Sequence, residues 1–140
     1  MFSFFDIFGG SKRRSALQVF DRTLGQLEVN PAYVDDGMRF AVYKWANLLS
    51  AENGAAHDYL MREAAALISF CVLGPAETEV LWGPEVRAER EARFDGVIAR
   101  GEEETFDALV IKLTLAKNIA APDIRARVAL ETEEEKTPTP

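Results

Sequence analysis

Cysteine and histidine are nearly absent from this 140-residue chain, which has one of each: Cys71 and His57. A single cysteine cannot form an internal disulfide, and its apolar setting (Leu67-Ile68-Ser69-Phe70-Cys71-Val72-Leu73) suits a buried thiol in a reducing compartment such as the cytoplasm. Two residues also fall short of the ligand set of a zinc site. The position three before the histidine is Gly54, so the Glu-x-x-His pairs of a di-iron bundle are missing as well. Asp35-Asp36-Gly37 is too short for a calcium loop. A Cys–His catalytic pair is excluded within one chain if both residues share one helix, because 14 positions at about 1.5 Å each separate them by roughly 21 Å.

Long apolar runs are lacking too. The longest, Ala64–Leu73, is interrupted by Ser69 and is about half of the roughly 20 residues that span a bilayer. Basic residues are outnumbered 16 to 23, for a net charge of -7. A body this acidic is repelled by phosphate backbones, so nucleic acid is not an expected partner. The charge is uneven. Residues 1–30 hold four basic and three acidic side chains, whereas residues 102–140 hold five and nine. The N-terminal stretch is the only net-positive region.

Strand signals are scarce, and helix signals recur. Hydrophobic residues make up 48% of the chain and charged residues 28%, ordinary values for a globular protein. Leu17, Phe20, Leu24 and Leu27 share one face of a helix expected over Lys12–Glu28, capped by Ser11. A second helix is expected from Pro31 to Ala51, with Val34, Met38, Ala41, Val42, Trp45, Leu48 and Leu49 as its core stripe. A third spans Ala55–Leu73, apolar nearly all round after Ala64, and Gly74-Pro75 ends it. A short helix over Ala76–Trp82 and a thin-striped peripheral one over Glu85–Arg100 follow. The last long helix is placed at Glu102–Ala120, with Glu102, Glu103 and Glu104 in its first turn, and Asp123–Leu130 adds a short one. The expected fold class is all-α: a single-domain bundle of about five helices over residues 11–130. Residues 131–140, with four glutamates and two prolines, form an acidic tail with little to bury and are expected to be disordered.

Chemistry-bearing motifs are weak. Gly9-Gly10-Ser11-Lys12 lacks the spacing of a phosphate loop and reads as a flexible linker. Glu77/Glu79 and Asp35/Asp36 read as solvated carboxylates, and Arg87, Arg90 and Arg93 are interleaved with Glu85, Glu89 and Glu91 as on a charge-laced exposed helix. Trp45 reads as core, and Trp82 as a plug at the bundle end. No catalytic residue, cofactor site or metal site is assigned.

One feature stands apart. Phe2, Phe4, Phe5, Ile7 and Phe8 crowd the first eight residues, followed by Gly9-Gly10 and the basic run Lys12, Arg13 and Arg14. Residues 1–10 are therefore treated as a separate apolar segment. The leading fate for it is docking into the bundle, with Phe5 and Phe8 in a groove between helices. A second is a peripheral membrane anchor: the aromatics enter the bilayer boundary and the three cations meet anionic headgroups. In this respect the segment resembles the short N-terminal targeting segments of some bacterial membrane-associated proteins, a likeness covering about a tenth of the chain. A third is a linear motif for a groove on a partner protein or on a second copy. The functional expectation is a non-enzymatic protein-interaction module, such as an adaptor, chaperone or assembly factor. The alternatives are a membrane-peripheral protein anchored by residues 1–14, and a helical enzyme or small-ligand binder using His57 or Tyr59.

Overall fold

The computed structural model describes the backbone of residues 4–53, 57–101 and 103–136, and side chains over 13–51, 57–101 and 103–129. It is 85% helical, with seven α-helices and no strand among the described residues. The all-α class therefore holds, with seven helices where a bundle of about five was expected. In order these are α1 (Phe4–Gln26), α2 (Asp36–Asn53), α3 (His57–Leu73), α4 (Pro75–Trp82), α5 (Pro84–Arg100), α6 (Phe106–Ala116) and α7 (Pro122–Lys136), with a 3₁₀ turn at Pro31–Tyr33. The chain divides into two compact units, Met1–Ala66 and Leu67–Pro140, with the division falling inside α3.

In the first unit, α1 begins much earlier than its sequence pattern suggested. It runs without interruption through Gly9 and Gly10, and Ser11 lies inside it rather than capping it. Two glycines lower helix propensity but do not forbid a helix that propagates from a packed stretch. The packed stretch here is Ala16, Phe20 and Leu24, all buried. Leu17 and Leu27, expected on that stripe, are only half-buried. The C-terminus is closed by a Schellman arrangement: Val29 N donates to Leu24 O (2.9 Å) and Glu28 N to Gly25 O (3.2 Å). Glu28 takes the left-handed position there, with φ +64, and the flanking Leu24 and Val29 are both buried.

The helix expected from Pro31 is split in two. Asn30 accepts from Ala32 N and starts the 3₁₀ turn, and Val34 then turns extended and buries its side chain. Asp35 starts the chain again by accepting from Met38 N at 2.8 Å, the N-cap geometry for α2. The buried stripe of α2 is Met38, Val42 and Ala46. Leu48, expected in that stripe, is 48% exposed, because it lies past the edge of the arc that the other three define. Arg39 ties the unit together. It donates to Asp21 on α1 (3.0 Å), to Pro31 O (2.6 Å) and to Val34 O, so one guanidinium fixes α1, the turn and the start of α2.

The second unit repeats one local device. Gly74-Pro75 and Gly83-Pro84 both place glycine in an extended, positive-φ conformation (φ 87, ψ 166 and φ 96, ψ 168) immediately before a proline at the first helical position. Each pair ends one helix and starts the next without a loop. The core contains Leu67, Ile68, Phe70 and Cys71 from α3, Phe94 and Val97 from α5, Val110 and Ile111 from α6, and Ile124 from α7. Phe70 and Phe94 meet at 5.9 Å between centroids, tilted by 54°. Buried Thr78 and Thr114 return their hydroxyls to carbonyls one turn back, so neither is left unsatisfied.

Helix α6 starts at Phe106, later than expected, because Thr105 is its cap and accepts from Ala108 N at 3.1 Å. Glu103 and Glu104 consequently lie before the helix rather than in its first turn. Asn118, at φ +57, follows its end. Helix α7 extends through Lys136, beyond the expected end at Leu130, since the glutamates of 131–135 are good helix formers. The rest of the tail lies outside the described residues. Surface ion pairs link the second unit's helices. Arg93 grips Asp107 through two 2.8 Å bonds, and Arg127 reaches Glu91 (3.0 Å) and Asp95 (3.3 Å). Hydrogen bonding to Glu91 holds the Arg127 guanidinium above its ordinary pKa.

Candidate functional site

The residues singled out in the sequence converge on the first unit. Phe2 lies outside the described residues. Phe4, Phe5, Ile7, Phe8 and Lys12 sit in α1, with side chains outside the described ones; Arg13 and Arg14 are described and exposed. The unbroken helix fixes the register of this segment. At about 100° per residue, positions 4, 7 and 8 fall on the line that continues through Arg14, Gln18 and Arg22. All three of those are exposed. This line is opposite the buried Ala16, Phe20 and Leu24. Position 5 falls beside the buried line instead.

Next to this line is a groove between α1 and α2. Arg13, Arg14, Leu17, Gln18 and Asp21 of α1 and Phe40 of α2 line a volume of about 320 Å³. Phe40 is 46% exposed, and the Arg13 guanidinium lies over its ring at 5.5 Å from the centroid, within the range of a cation–π contact. Asp21 is the one acid among the described residues of the lining, and Arg39 already engages it at 3.0 Å. Arg39 is itself largely buried, so Asp21 is held to one side of the groove. Arg14 is in no ion pair among the described residues. The groove thus combines cations with an aromatic wall.

Phe40 was not singled out in the sequence. The available signal was its place in the helix: it falls outside the arc shared by Met38, Val42 and Ala46, and an aromatic off the buried arc of a helix calls for an explanation.

The other candidates are accounted for structurally. Cys71 is fully buried, and burial pushes its thiol up to about 12, so it carries no thiolate at neutral pH. Tyr59 is 53% exposed, while His57 is half-buried with its ring edge-on to Tyr43 at 5.1 Å. No group of three or more His, Cys, Asp or Glu among the described residues could hold a metal ion. Asp35 is committed to capping α2, and Glu77 and Glu79 are exposed. The arginines of α5 do not form an anion stripe. Arg87 pairs with Glu79 (3.5 Å) and Glu91 (3.8 Å), Arg90 lies over Trp82 at 6.0 Å, and Arg93 holds Asp107. Trp45 and Trp82 are both half-buried.

No single helix among the described residues is long and apolar enough to cross a membrane; α3 and α4 pass on composition only as a pair, and they are bent by 114°. No family model matches the chain, and no curated protein or solved structure is significantly similar to it.

Proposed function

We propose that this protein is a non-enzymatic interaction module, an adaptor or assembly factor, that presents the apolar N-terminal part of α1 to a protein partner. One observation carries the reading. Helix α1 crosses Gly9-Gly10 without a break, so its register sets Phe4, Ile7 and Phe8 in line with exposed Arg14, Gln18 and Arg22 rather than with buried Phe20 and Leu24. A segment wholly in line with the core face would support the fold-back reading; positions 4, 7 and 8 are in line with exposed positions instead, and position 5 alone is beside the buried line. Apolar groups at three and four residue spacing are the usual anchors of a helix laid in a partner's groove.

The test replaces Phe4, Ile7 and Phe8 together by serine. The folded body should keep its urea midpoint, and cross-linked complexes or self-association present with the unaltered chain should disappear. A loss above about 3 kcal/mol, the scale of emptying a core aromatic site, would identify the three residues as core and overturn the proposal. Helix-strengthening Gly9→Ala and Gly10→Ala should act in the opposite direction and tighten the complex.

A second reading, a peripheral contact with an anionic bilayer, draws on exposed Arg13 and Arg14 beside the same segment. Flotation with phosphatidylserine vesicles separates the two. Co-flotation that disappears on neutralising Lys12, Arg13 and Arg14 favours the bilayer, and its absence favours the protein partner.

A further inference from the structure

We propose that the groove between α1 and α2 is a docking site for an acidic segment of a partner protein that brings one aromatic or aliphatic anchor. This rests on the interaction role proposed above and supplies the chemistry of what is bound.

The shape comes first. About 320 Å³ is at the low end of pocket volumes, roughly 300–1,000 Å³, enough for one large side chain and the polar group beside it. The wall offers an apolar surface of matching kind in exposed Phe40 and half-buried Leu17. The charge comes second. Arg13 and Arg14 line the groove and are exposed, and the one acidic group among the described lining residues, Asp21, is already engaged by Arg39. The site is therefore cationic, and a carboxylate reaching Arg14 meets a planar donor suited to two parallel hydrogen bonds. Arg13 already stacks on Phe40, so an aromatic anchor against the free part of that ring extends an existing cation–aromatic stack.

The surroundings narrow the partner. The whole chain carries a net charge of -7, so a broadly acidic surface or a nucleic acid is repelled while a short acidic segment can enter a local cationic groove. A bilayer fits this particular site less well. Phe40 sits under a guanidinium in a concavity, whereas a flat membrane boundary is met by protruding apolar groups.

The test is a displayed library of random twelve-residue peptides selected against the full chain, followed by fluorescence anisotropy of the enriched peptides. Enriched sequences should combine Asp or Glu with Phe, Tyr, Trp or Leu. Arg14→Glu and Phe40→Ala should each weaken their binding at least tenfold. Lys112→Glu makes the same charge change at an exposed position of α6 and should leave binding unaltered. Affinity should also fall as salt rises. No enrichment, enrichment of basic or neutral peptides, or equal binding by Arg14→Glu and Lys112→Glu would each overturn the proposal. Equal sensitivity of phosphatidylserine-vesicle flotation to both groove variants, without peptide enrichment, assigns the site to lipid and overturns it as well. The Phe4, Ile7 and Phe8 serine variant separates the two proposals. If it keeps peptide affinity and partner capture, the N-terminal reading fails and the groove stands. If the groove variants keep full affinity while the serine variant loses partner capture, the groove fails and the N-terminal reading stands.

Discussion

Gly74 and Gly83 provide a matched pair for separating backbone strain from crowding. Both precede a helix-starting proline, and their backbones differ by only a few degrees (φ 87, ψ 166 and φ 96, ψ 168). An L side chain there costs roughly 1–3 kcal/mol, offset by about 0.4–1 kcal/mol from the stiffer unfolded chain. A Cβ on Gly83 would meet nothing within 4 Å, so Gly83→Ala should lose about 1–2 kcal/mol from backbone conformation alone. On Gly74 the same atom would stand 2.9 Å from Asp123 Oδ1, 3.2 Å from Oδ2 and 3.3 Å from Ala121 Cβ. Ala121 has little room to yield, because its N–H is bonded to Cys71 O at 2.8 Å. Crowding should add about 1–3 kcal/mol, for a total near 2–5 kcal/mol in Gly74→Ala. Urea unfolding, followed by Trp82 fluorescence in a Trp45→Phe background, reads both. With a slope of about 1–3 kcal/mol per molar urea, a difference of about 1–3 kcal/mol separates the two midpoints by about 0.3 to 3 M. Adding Asp123→Ala to the Gly74 variant should recover part of the loss, since the shortest contacts are to that carboxylate. Equal midpoints for the two alanine variants, or a harmless Gly83→Ala, would refute the reasoning.

Two further expectations come from the same structure. Glu28→Gly should raise stability by about 0.5–1 kcal/mol in urea unfolding, because the left-handed backbone at φ +64 disfavours an L side chain by about 1–2 kcal/mol and glycine returns part of that as unfolded-state entropy. For Cys71, burial raises the folded thiol from 9.0 to about 12, so the unfolded chain releases its proton first as pH rises. The contribution to stability is full below about pH 9 and falls toward pH 12; Cys71→Ala should flatten that alkaline part of the urea-midpoint profile, and labelling of the native thiol at pH 8 should proceed only as fast as unfolding.

Apolar spacing made the all-α class legible, because burial of one face follows directly from it. Phe20 and Leu24 were visible by their spacing, as were Met38 and Val42. Boundaries were less legible where two caps compete. Asn30-Pro31 is a good helix start and does begin a turn, but Asp35 forms the cap that lasts, and only the placement of Val34 in the core decides between them. Glu102–Glu104 looked like a first turn on electrostatic grounds, yet Thr105 supplies a direct hydrogen bond that the exposed charges of Glu103 and Glu104 do not. The candidate site was half legible. The density of aromatics before Gly9 and the cations after it are properties of the sequence. The groove is not, because it depends on Arg39 linking α1, the turn and α2, which brings Phe40 under Arg13.

In the sequence Gly9-Gly10 reads as part of a flexible linker because glycine is the weakest ordinary helix former, and the energetics of the continuous helix turn that point around. Two glycines in a helix interior cost about 2 kcal/mol relative to alanine, a factor of about 30 against extending α1 toward Phe4. Covering a phenylalanine or isoleucine side chain returns roughly 1.5–3 kcal/mol, so a surface that covers two of positions 4, 7 and 8 outweighs the two glycines. Without the helix, the three positions share no face; with it, they form one. The helical register and the covering surface therefore reinforce each other, and their coupling is set by the two residues that make the helix least favourable. A flexible tether would bring the same aromatics to a partner in any orientation. A helix continuous with Arg13 and Arg14 brings them in a fixed relation to the cationic groove. In the interaction proposed above, Gly9 and Gly10 would tune the affinity of a helical contact rather than separate it from the body.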